Sequence, residues 1–203
     1  MTPPAKRPSR ALVVTREALE RALAARPARE EPSDAERAGV ALVLAPSGSE
    51  LALLFIRRAV RAGDPWSGQV ALPGGRAAPR DADLVATAVR ETQEEVGVDL
   101  RDAGLLGALD DVAPRTPVLP PIVVRPFVFA LARRPRVTPG AEVRSAFWVA
   151  LRALSAPGVR RDVTLSVRGV ARVFPAFVVG RDVIWGMTER ILASLFAALS
   201  QAP

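Results

Sequence analysis

The chain of 203 residues has no cysteine, no histidine and no tyrosine, and Lys6 is its only lysine. The absence of cysteine excludes disulfide bonds, thiolate metal sites and cysteine nucleophiles, and nothing indicates an oxidising compartment. The absence of histidine removes the usual general base and the usual zinc ligand. Acid–base chemistry in a folded core must therefore come from Asp, Glu or metal-bound water, which favours a mechanism based on carboxylates and metal ions.

Long apolar runs are also absent. No segment approaches the ~20 apolar residues that are needed to span a membrane. The short apolar run at residues 11–14 is too short for the central region of a signal peptide. These features predict a cytoplasmic protein that does not enter a membrane.

The formal charge is +7, from 28 basic and 21 acidic residues, and a positive field of this kind favours anionic ligands. The arginines are scattered along the chain instead of forming a basic stripe, and no aromatic residues alternate with them. This pattern argues against nucleic acid as a partner and leaves a small anionic molecule as the expected ligand.

Residues 72–98, LPGGRAAPRDADLVATAVRETQEEVGV, carry the chemical pattern around which the chain is organised. Glu91, Glu94 and Glu95 are spaced at i, i+3 and i+4, which places them within an arc of roughly 100° on one helix face. The predicted helix therefore has an acidic side and a separate side that packs on a core. The stripe expected to pack on the core comprises Val85, Val89, Thr92 and Val96.

The ends of this segment are marked by glycines. Pro73, Gly74 and Gly75 form a predicted turn, in which the missing side chains let the backbone approach a ligand closely. Gly97 is expected to end the helix.

Three clustered carboxylates repel one another, by about 0.2–0.5 kcal/mol for each like-charged pair one turn apart. A divalent cation is the natural counter-charge, because carboxylate oxygens suit Mg²⁺ or Mn²⁺ and such ions are commonly shared with substrate phosphates. Arg90 is placed to pair with Glu94 and hold it in position. The alternative is a solvated acidic helix face after a β-turn, but the combined spacing is more specific than any one acidic pair.

This stretch resembles the signature of the Nudix hydrolases, G-x5-E-x7-R-E-U-x-E-E-x-G-U, in which U is a bulky aliphatic residue. The interval before Arg90 is one residue longer than in the pattern, Asp81 stands where a Glu is expected, and Thr92 replaces an aliphatic residue. The positions that match by type are Gly75, Arg90, Glu91, Glu94, Glu95, Gly97 and Val98.

The resemblance implies an α/β fold, namely an α/β/α sandwich with a mixed central sheet, in which this segment forms a loop, a helix and a loop. It also implies a site for Mg²⁺ or Mn²⁺, held by Glu91, Glu94, Glu95 and the carbonyl of Gly75. Arg90 is expected to belong to the catalytic group.

The longer interval and Asp81 also resemble the branch of the family that cleaves coenzyme A, and this resemblance extends over residues 41–196. A second, upstream signature of that branch is matched in part: Leu72 replaces a Phe, and Phe55-Ile56-Arg57-Arg58 replaces T-x-R-S. The upstream positions that match are Leu53, Leu54, Gly68, Pro73, Gly74 and Gly75.

Three arginines near this segment have two interpretations. Arg57, Arg58 and Arg61 could bind a 3′-phosphate or the diphosphate of a substrate, beside Gly74 and Gly75. Equally, they could be ordinary solvated arginines. The sequence leaves both interpretations open.

A further acidic candidate lies downstream. Residues 142–149, EVRSAFWV, resemble the Nudix segment in which a Glu precedes the strand F-W-V. In several family members an acid from this region binds metal or takes the proton from water, which makes Glu142 a candidate catalytic residue. The alternative is a solvated Glu in a turn.

Two units are expected along the chain: a basic, proline-rich N-terminal tail with a short helix at residues 1–35, and a Nudix hydrolase domain at residues 36–203. Thr15 is a plausible N-cap for that helix. Apolar patterning predicts further elements. These are strands at 39–45 and 51–58, which are expected to form a hairpin entering the central sheet, strands at 104–112 and 122–131, a late hairpin at 174–186 and a final helix to about residue 200. Whether the chain forms a homodimer is open.

The implied reaction is attack of water on a phosphorus of a nucleotide diphosphate derivative, with Glu91 or Glu142 accepting the proton. With coenzyme A or an acyl derivative, the expected products are 3′,5′-ADP and a 4′-phosphopantetheine. The alternatives are a Nudix diphosphatase for ADP-ribose, NADH or (d)NTPs, and a non-catalytic module that binds a nucleotide. The intact glutamates argue against the non-catalytic module.

Overall fold

A computed structural model describes residues 14–63, 66–114, 121–167 and 169–201. Within these ranges the helices are α1 (Arg16–Ala24), α2 (Leu84–Val96), α3 (Leu151–Leu154) and α4 (Met187–Gln201). The strands are β1 (Glu36–Ser47), β2 (Glu50–Arg58), β3 (Val70–Ala71), β4 (Gly74–Arg76), β5 (Gly104–Ala108), β6 (Ile122–Ala130), β7 (Val143–Ala150), β8 (Arg160–Val167), β9 (Val170–Val179) and β10 (Asp182–Trp185).

The larger sheet has seven strands in the order β3-β2-β1-β6-β5, with β4 paired to β1 and β7 paired to β2. It is mixed because β1 and β6 are parallel, whereas the other pairs are antiparallel. A second sheet, β10-β9-β8, is antiparallel. The predicted hairpin of the first two strands is confirmed by the pairing of β1 with β2.

Side chains of β1 alternate between the two faces of the sheet and enter two hydrophobic clusters. Leu42 and Leu44 lie in the cluster that also contains residues of α1 and α4, whereas Ala41 and Val43 lie in the cluster under α2. Helices therefore cover both faces, which confirms the predicted α/β/α sandwich with a mixed central sheet. No helix in the described ranges is long and apolar enough to cross a bilayer.

The N-terminal helix begins as the sequence predicts. Thr15 is its N-cap and accepts a hydrogen bond from the amide of Ala18 at 3.2 Å. Leu19 and Leu23 are buried in the same cluster as α4, so this helix packs on the sheet. Residues 1–13 of the expected tail lie outside the described residues, and the domain boundary at residue 36 stays a prediction.

Helix α2 is fixed at both ends. Asp83 is the N-cap and accepts a hydrogen bond from the amide of Ala86 at 2.7 Å. Gly97 ends the helix with a left-handed φ of 68°, as predicted, and a side chain there would strain the backbone. The helix thus holds its residues in a fixed register above β1.

The buried face of α2 differs from the predicted stripe. Thr92 and Val96 are buried as expected, but Val85 and Val89 are only half-buried. The fully buried positions also include Thr87, Ala88 and Glu95. The Thr92 hydroxyl donates to the Ala88 carbonyl at 2.7 Å, and this bond allows a threonine to occupy the buried position of an aliphatic residue.

Two later elements also differ from expectation. The strand predicted at 104–112 ends at Ala108, and beyond it Val112 makes only an isolated bridge to Val124. Strand β8 was not identified from the sequence, because its alternating face is only half-buried. It pairs with β9 and extends the predicted late hairpin into a three-stranded sheet.

Candidate active site

Glu95 is the most buried of the three helix carboxylates, with 6% of its surface exposed. Its Oε2 accepts a hydrogen bond from the amide of Gly74 at 2.9 Å. The expectation that all three glutamates share a side distinct from the buried one was wrong for Glu95. Glu95 instead projects under the Gly74 turn. The spacing of residues along the helix gives no information about this contact with another segment.

The surroundings of Glu95 raise the pKa of its carboxyl to about 7. Burial is the largest cause, because it disfavours the charged form, and the negative charges of Glu91 and Glu142 act in the same direction. The Gly74 amide and Arg58 oppose the shift. A cation beside this group would lower the pKa, since it would stabilise the carboxylate.

The glycine turn before the helix lies directly against the Glu91 side chain, and this close approach depends on the absence of side chains in the turn. A Cβ added to Gly75 would lie 2.5 Å from Glu91 Cδ, a distance that real Cβ atoms do not tolerate. Gly74 has a φ of 148°, and a Cβ there would lie 2.5 Å from the carbonyl oxygen of Gly39. Glycine is therefore required at Gly74, where the clash is with backbone, whereas a side chain at Gly75 would displace the Glu91 carboxylate. The predicted close approach of this turn to a ligand stays a prediction.

Arg90 connects the acidic groups around the helix. Its Nε and Nη2 donate to Oδ1 and Oδ2 of Asp81 at 2.8 and 2.9 Å, which is a bidentate ion pair. Its Nη1 donates to Glu91 at 2.6 Å and to Glu94 at 3.2 Å. The predicted pairing with Glu94 is confirmed, and the same guanidinium also holds Glu91.

Asp81 holds the Arg90 guanidinium in position. It is almost fully buried, and besides Arg90 it accepts hydrogen bonds from the Ala78 amide at 2.8 Å and the Thr87 hydroxyl at 2.9 Å. The hydrogen bonds from Arg90 are the largest cause that holds the pKa of the Asp81 carboxyl well below its usual range. The carboxylate therefore stays charged and fixes the guanidinium.

Glu94 is the most exposed of the three helix glutamates. Its side chain is 52% exposed and accepts hydrogen bonds from Arg90 at 3.2 Å and from Arg80 at 3.0 Å. Glu94 therefore has the freedom to reorient toward a ligand, whereas Glu95 does not.

Glu142 reaches the site through a loop that caps the end of α2. The amides of Thr138 and Gly140 donate to the carbonyls of Val96 and Glu95, both at 2.8 Å, and so satisfy two of the free carbonyls at the helix end. Glu142 then forms an ion pair with Arg61 at 2.9 Å. The structure thus brings these two predicted residues together, with the Glu142 side chain 57% exposed.

The two neighbouring arginines of β2 have different surroundings. Arg57 forms an ion pair with Asp182 of β10 and donates to the carbonyl of Gly68 at 3.2 Å. It lies outside the cavity lining, so the substrate-binding interpretation does not fit its position. Arg58, beyond an irregularity in the β2–β7 register, lines the cavity.

One cavity of about 630 Å³ joins these groups. The predicted residues that line it are Arg58, Gly74, Gly75, Glu91, Glu94, Glu95 and Glu142. Sequence reasoning assigned no site role to several others, because they come from distant segments and carry no local motif. These are Gln69, Arg76, Ile122, Val124, Met187, Thr188 and Ile191, and Trp66 also belongs to the lining.

The donor set of the cavity fits a hard divalent ion, because the carboxylates and the peptide carbonyls offer oxygen atoms only. In the described part of the chain, however, no three acidic side chains already converge around one point. Glu91 and Glu94 are instead turned to Arg90. Ion binding by Glu91, Glu94, Glu95 and Gly75 therefore stays a prediction, and it would require exchange of these ion pairs.

Residues 35–166 match the model of the NUDIX domain. A Schizosaccharomyces pombe protein, Uncharacterized protein C14C4.10c, is 37% identical over 132 residues, which are 62% of this chain and 40% of that protein. The mouse mitochondrial coenzyme A diphosphatase NUDT8 is 41% identical over 64 residues, which are 32% of this chain and 30% of that protein. The chain thus spans less than half the length of these two relatives.

Among solved structures, a MutT/nudix family protein from Enterococcus faecalis has a similar fold, with a TM-score of 0.58. The superposition covers 84% of this chain and 64% of that chain, at 21% sequence identity. At this identity the likeness concerns the fold alone.

Proposed function

The chain belongs to the Nudix hydrolase family, and we propose that it hydrolyses the diphosphate linkage of coenzyme A or acyl-coenzyme A. The products are 3′,5′-ADP and a 4′-phosphopantetheine. The observation that carries this proposal is that Glu91, Glu94, Glu95 and Glu142 all line one cavity beside the Gly74-Gly75 turn. Mg²⁺ or Mn²⁺ is the proposed cofactor.

The acidic end of the cavity supports phosphoryl transfer to water. Such transfer depends on in-line positioning and on neutralisation of charge more than on covalent chemistry. When bound, a divalent ion neutralises phosphate charge and makes water more acidic. Glu91, Glu94, Glu95 and the Gly75 carbonyl are the proposed ligands of that ion.

The chain's own residues supply position and proton transfer. Arg90 donates hydrogen bonds to Glu91 and Glu94, and its ion pair with Asp81 keeps the guanidinium in place. Water attacks one phosphorus, the bond from that phosphorus to the bridging oxygen breaks, and Glu91 or Glu142 accepts the proton of the water.

Two observations support coenzyme A as the substrate. The chain is similar over 64 residues to the mouse coenzyme A diphosphatase. Arg58 lines the cavity and Arg61 forms an ion pair with Glu142 at its edge, which supports the proposal that they pair with phosphate groups that do not react, including a 3′-phosphate.

The proposal is tested by measuring phosphate-ester products from coenzyme A, ADP-ribose, NADH and dNTPs, with Mg²⁺ or Mn²⁺ and with a chelator control. Chelator-sensitive cleavage of coenzyme A in preference to the others is the expected result. Preference for another diphosphate would discard coenzyme A and keep the mechanism. No turnover on any substrate would favour a module that only binds nucleotides.

Glu95→Gln is the matched variant for the same assay. It keeps the shape of the side chain and removes its charge, so metal-dependent turnover should disappear while the fold persists. Full activity in this variant would overturn the site assignment. The cytoplasmic location, the possible homodimer and the absence of a nucleic-acid partner remain predictions from the sequence.

A further inference from the structure

The cavity has two chemically different ends. Its charged lining residues come from β2, β4, α2 and the loop before β7, and none comes from β6 or α4. The lining residues from β6 and α4 are instead Ile122, Val124, Met187 and Ile191, with Thr188 as the polar residue among them. The acidic groups that act on a diphosphate thus open into an aliphatic compartment.

This aliphatic compartment is rigid on most of its surface. Ile122, Val124 and Ile191 are 7%, 5% and 3% exposed and belong to the hydrophobic cluster between the sheet and α4. Met187 is only half-buried and packs against that cluster one turn before Ile191. Met187 is therefore the lining side chain that can adapt to an occupant, because a thioether chain is unbranched and flexible.

The opposite end offers different contacts. Trp66 and Gln69 line the cavity there, next to Arg58. Strand β3, which follows Gln69, and strand β6 are three places apart in the sheet order, which corresponds to about 14 Å at the usual strand spacing. A purine base needs an aromatic face or hydrogen-bonding groups, and the Trp66 end supplies both. The α4 end supplies van der Waals contact to an uncharged, flexible chain.

We infer that the pantetheine arm of the substrate lies between β6 and the first turns of α4, and that Met187 and Ile191 determine the preference for substrates that carry such an arm. This inference rests on the proposed function. It assigns the nucleotide half of the substrate to the Trp66 end, and it makes an apolar acyl group on the arm compatible with binding.

The two products are the probes that test the inference, because each represents one half of the substrate. Inhibition of coenzyme A hydrolysis by 4′-phosphopantetheine and by 3′,5′-ADP is measured for the wild type and for Met187→Ala. We expect about tenfold weaker inhibition by 4′-phosphopantetheine in the variant, as is usual when apolar contacts are removed from a pocket. Inhibition by 3′,5′-ADP should stay within twofold.

Two further variants control for the packing of α4. Ile191→Val removes one methyl group from the compartment and should shift the same inhibitor in the same direction, by a smaller factor. Phe196→Leu trims an apolar side chain of the same helix that packs on Phe177 outside the cavity, and should shift neither inhibitor.

The outcomes separate the inference from the function on which it rests. Weaker inhibition by 3′,5′-ADP alone, equal loss for both products, or no change in either would overturn the placement of the arm. A wild-type protein that cleaves another diphosphate and leaves coenzyme A intact would overturn the proposed substrate, and the arm subsite with it.

Discussion

Arg90 and Asp81 form a bidentate ion pair, with Nε and Nη2 of the guanidinium 2.8 and 2.9 Å from the two carboxylate oxygens. The remaining terminal nitrogen, Nη1, points to Glu91 and Glu94. A buried carboxylate that is not among the cavity-lining residues thus sets, through Arg90, the position of two glutamates that do line the cavity.

Asp81→Asn should lower kcat by about 10- to 100-fold, as is typical when a residue that orients metal-binding groups is lost. The neutral amide cannot hold both guanidinium nitrogens, so Arg90 would turn fully toward Glu91 and Glu94 and compete with the ion. Higher concentrations of Mg²⁺ should therefore restore part of the activity. Asp99→Asn is the control, since Asp99 pairs with Arg101 at the surface; equal effects of both variants would contradict the positioning role.

Gly75→Ala should abolish metal-dependent activity. The new Cβ would lie 2.5 Å from Glu91 Cδ, so either the carboxylate or the turn must move. Gly180→Ala is the control: Gly180 has a φ of 57° and no atoms near an added Cβ, so it should cost about 1–2 kcal/mol of stability and leave kcat unchanged. Thermal unfolding and turnover, measured together, separate the two effects.

The raised pKa of Glu95 predicts how stability without metal depends on pH. Between the ordinary value of 4.5 and about 7, the folded state binds a proton that the unfolded state does not bind. Unfolding free energy should therefore fall as pH rises through this window, by up to about 3 kcal/mol. Urea unfolding at pH 5 and pH 8 with a chelator, compared between the wild type and Glu95→Gln, isolates this contribution. An equal change in unfolding free energy between the two pH values in both proteins would refute it.

The same proton competes with a divalent cation. Mg²⁺ affinity should rise as pH increases toward 7, by up to tenfold per pH unit, and level off above it, because binding requires the charged carboxylate. Calorimetric titration in two buffers of different ionisation enthalpy would show release of up to one proton at pH 6. Binding without proton release would place the ion away from Glu95.

Arg57→Gln and Arg58→Gln form a matched pair of adjacent substitutions. The Arg57 variant loses the ion pair between β2 and β10 and should be destabilised by about 1 kcal/mol with KM unchanged. The Arg58 variant removes a positive charge from the cavity and should raise KM about tenfold or more. A raised KM for the Arg57 variant together with an unchanged KM for the Arg58 variant would contradict the geometry.

Local sequence determined much of the fold because capping and periodicity act over a few residues. Thr15 and Gly97 mark helix ends at the positions that their side-chain chemistry predicts. The hairpin of β1 and β2 follows from two apolar runs around a short turn. By contrast, the half-buried face of β8 carries no comparable signal.

The chain alone identifies the candidate residues of the site: the glycine turn, the arginine and three glutamates at helical spacing, and Glu142 before its strand. Packing between segments that are distant in the chain accounts for the rest: Glu95 is buried under Gly74, Arg57 pairs with Asp182 while Arg58 lines the cavity, and α4 contributes aliphatic residues to the lining. The physical reason is that spacing fixes the direction of a side chain on its own element, whereas burial and pKa depend on what another part of the chain packs against it.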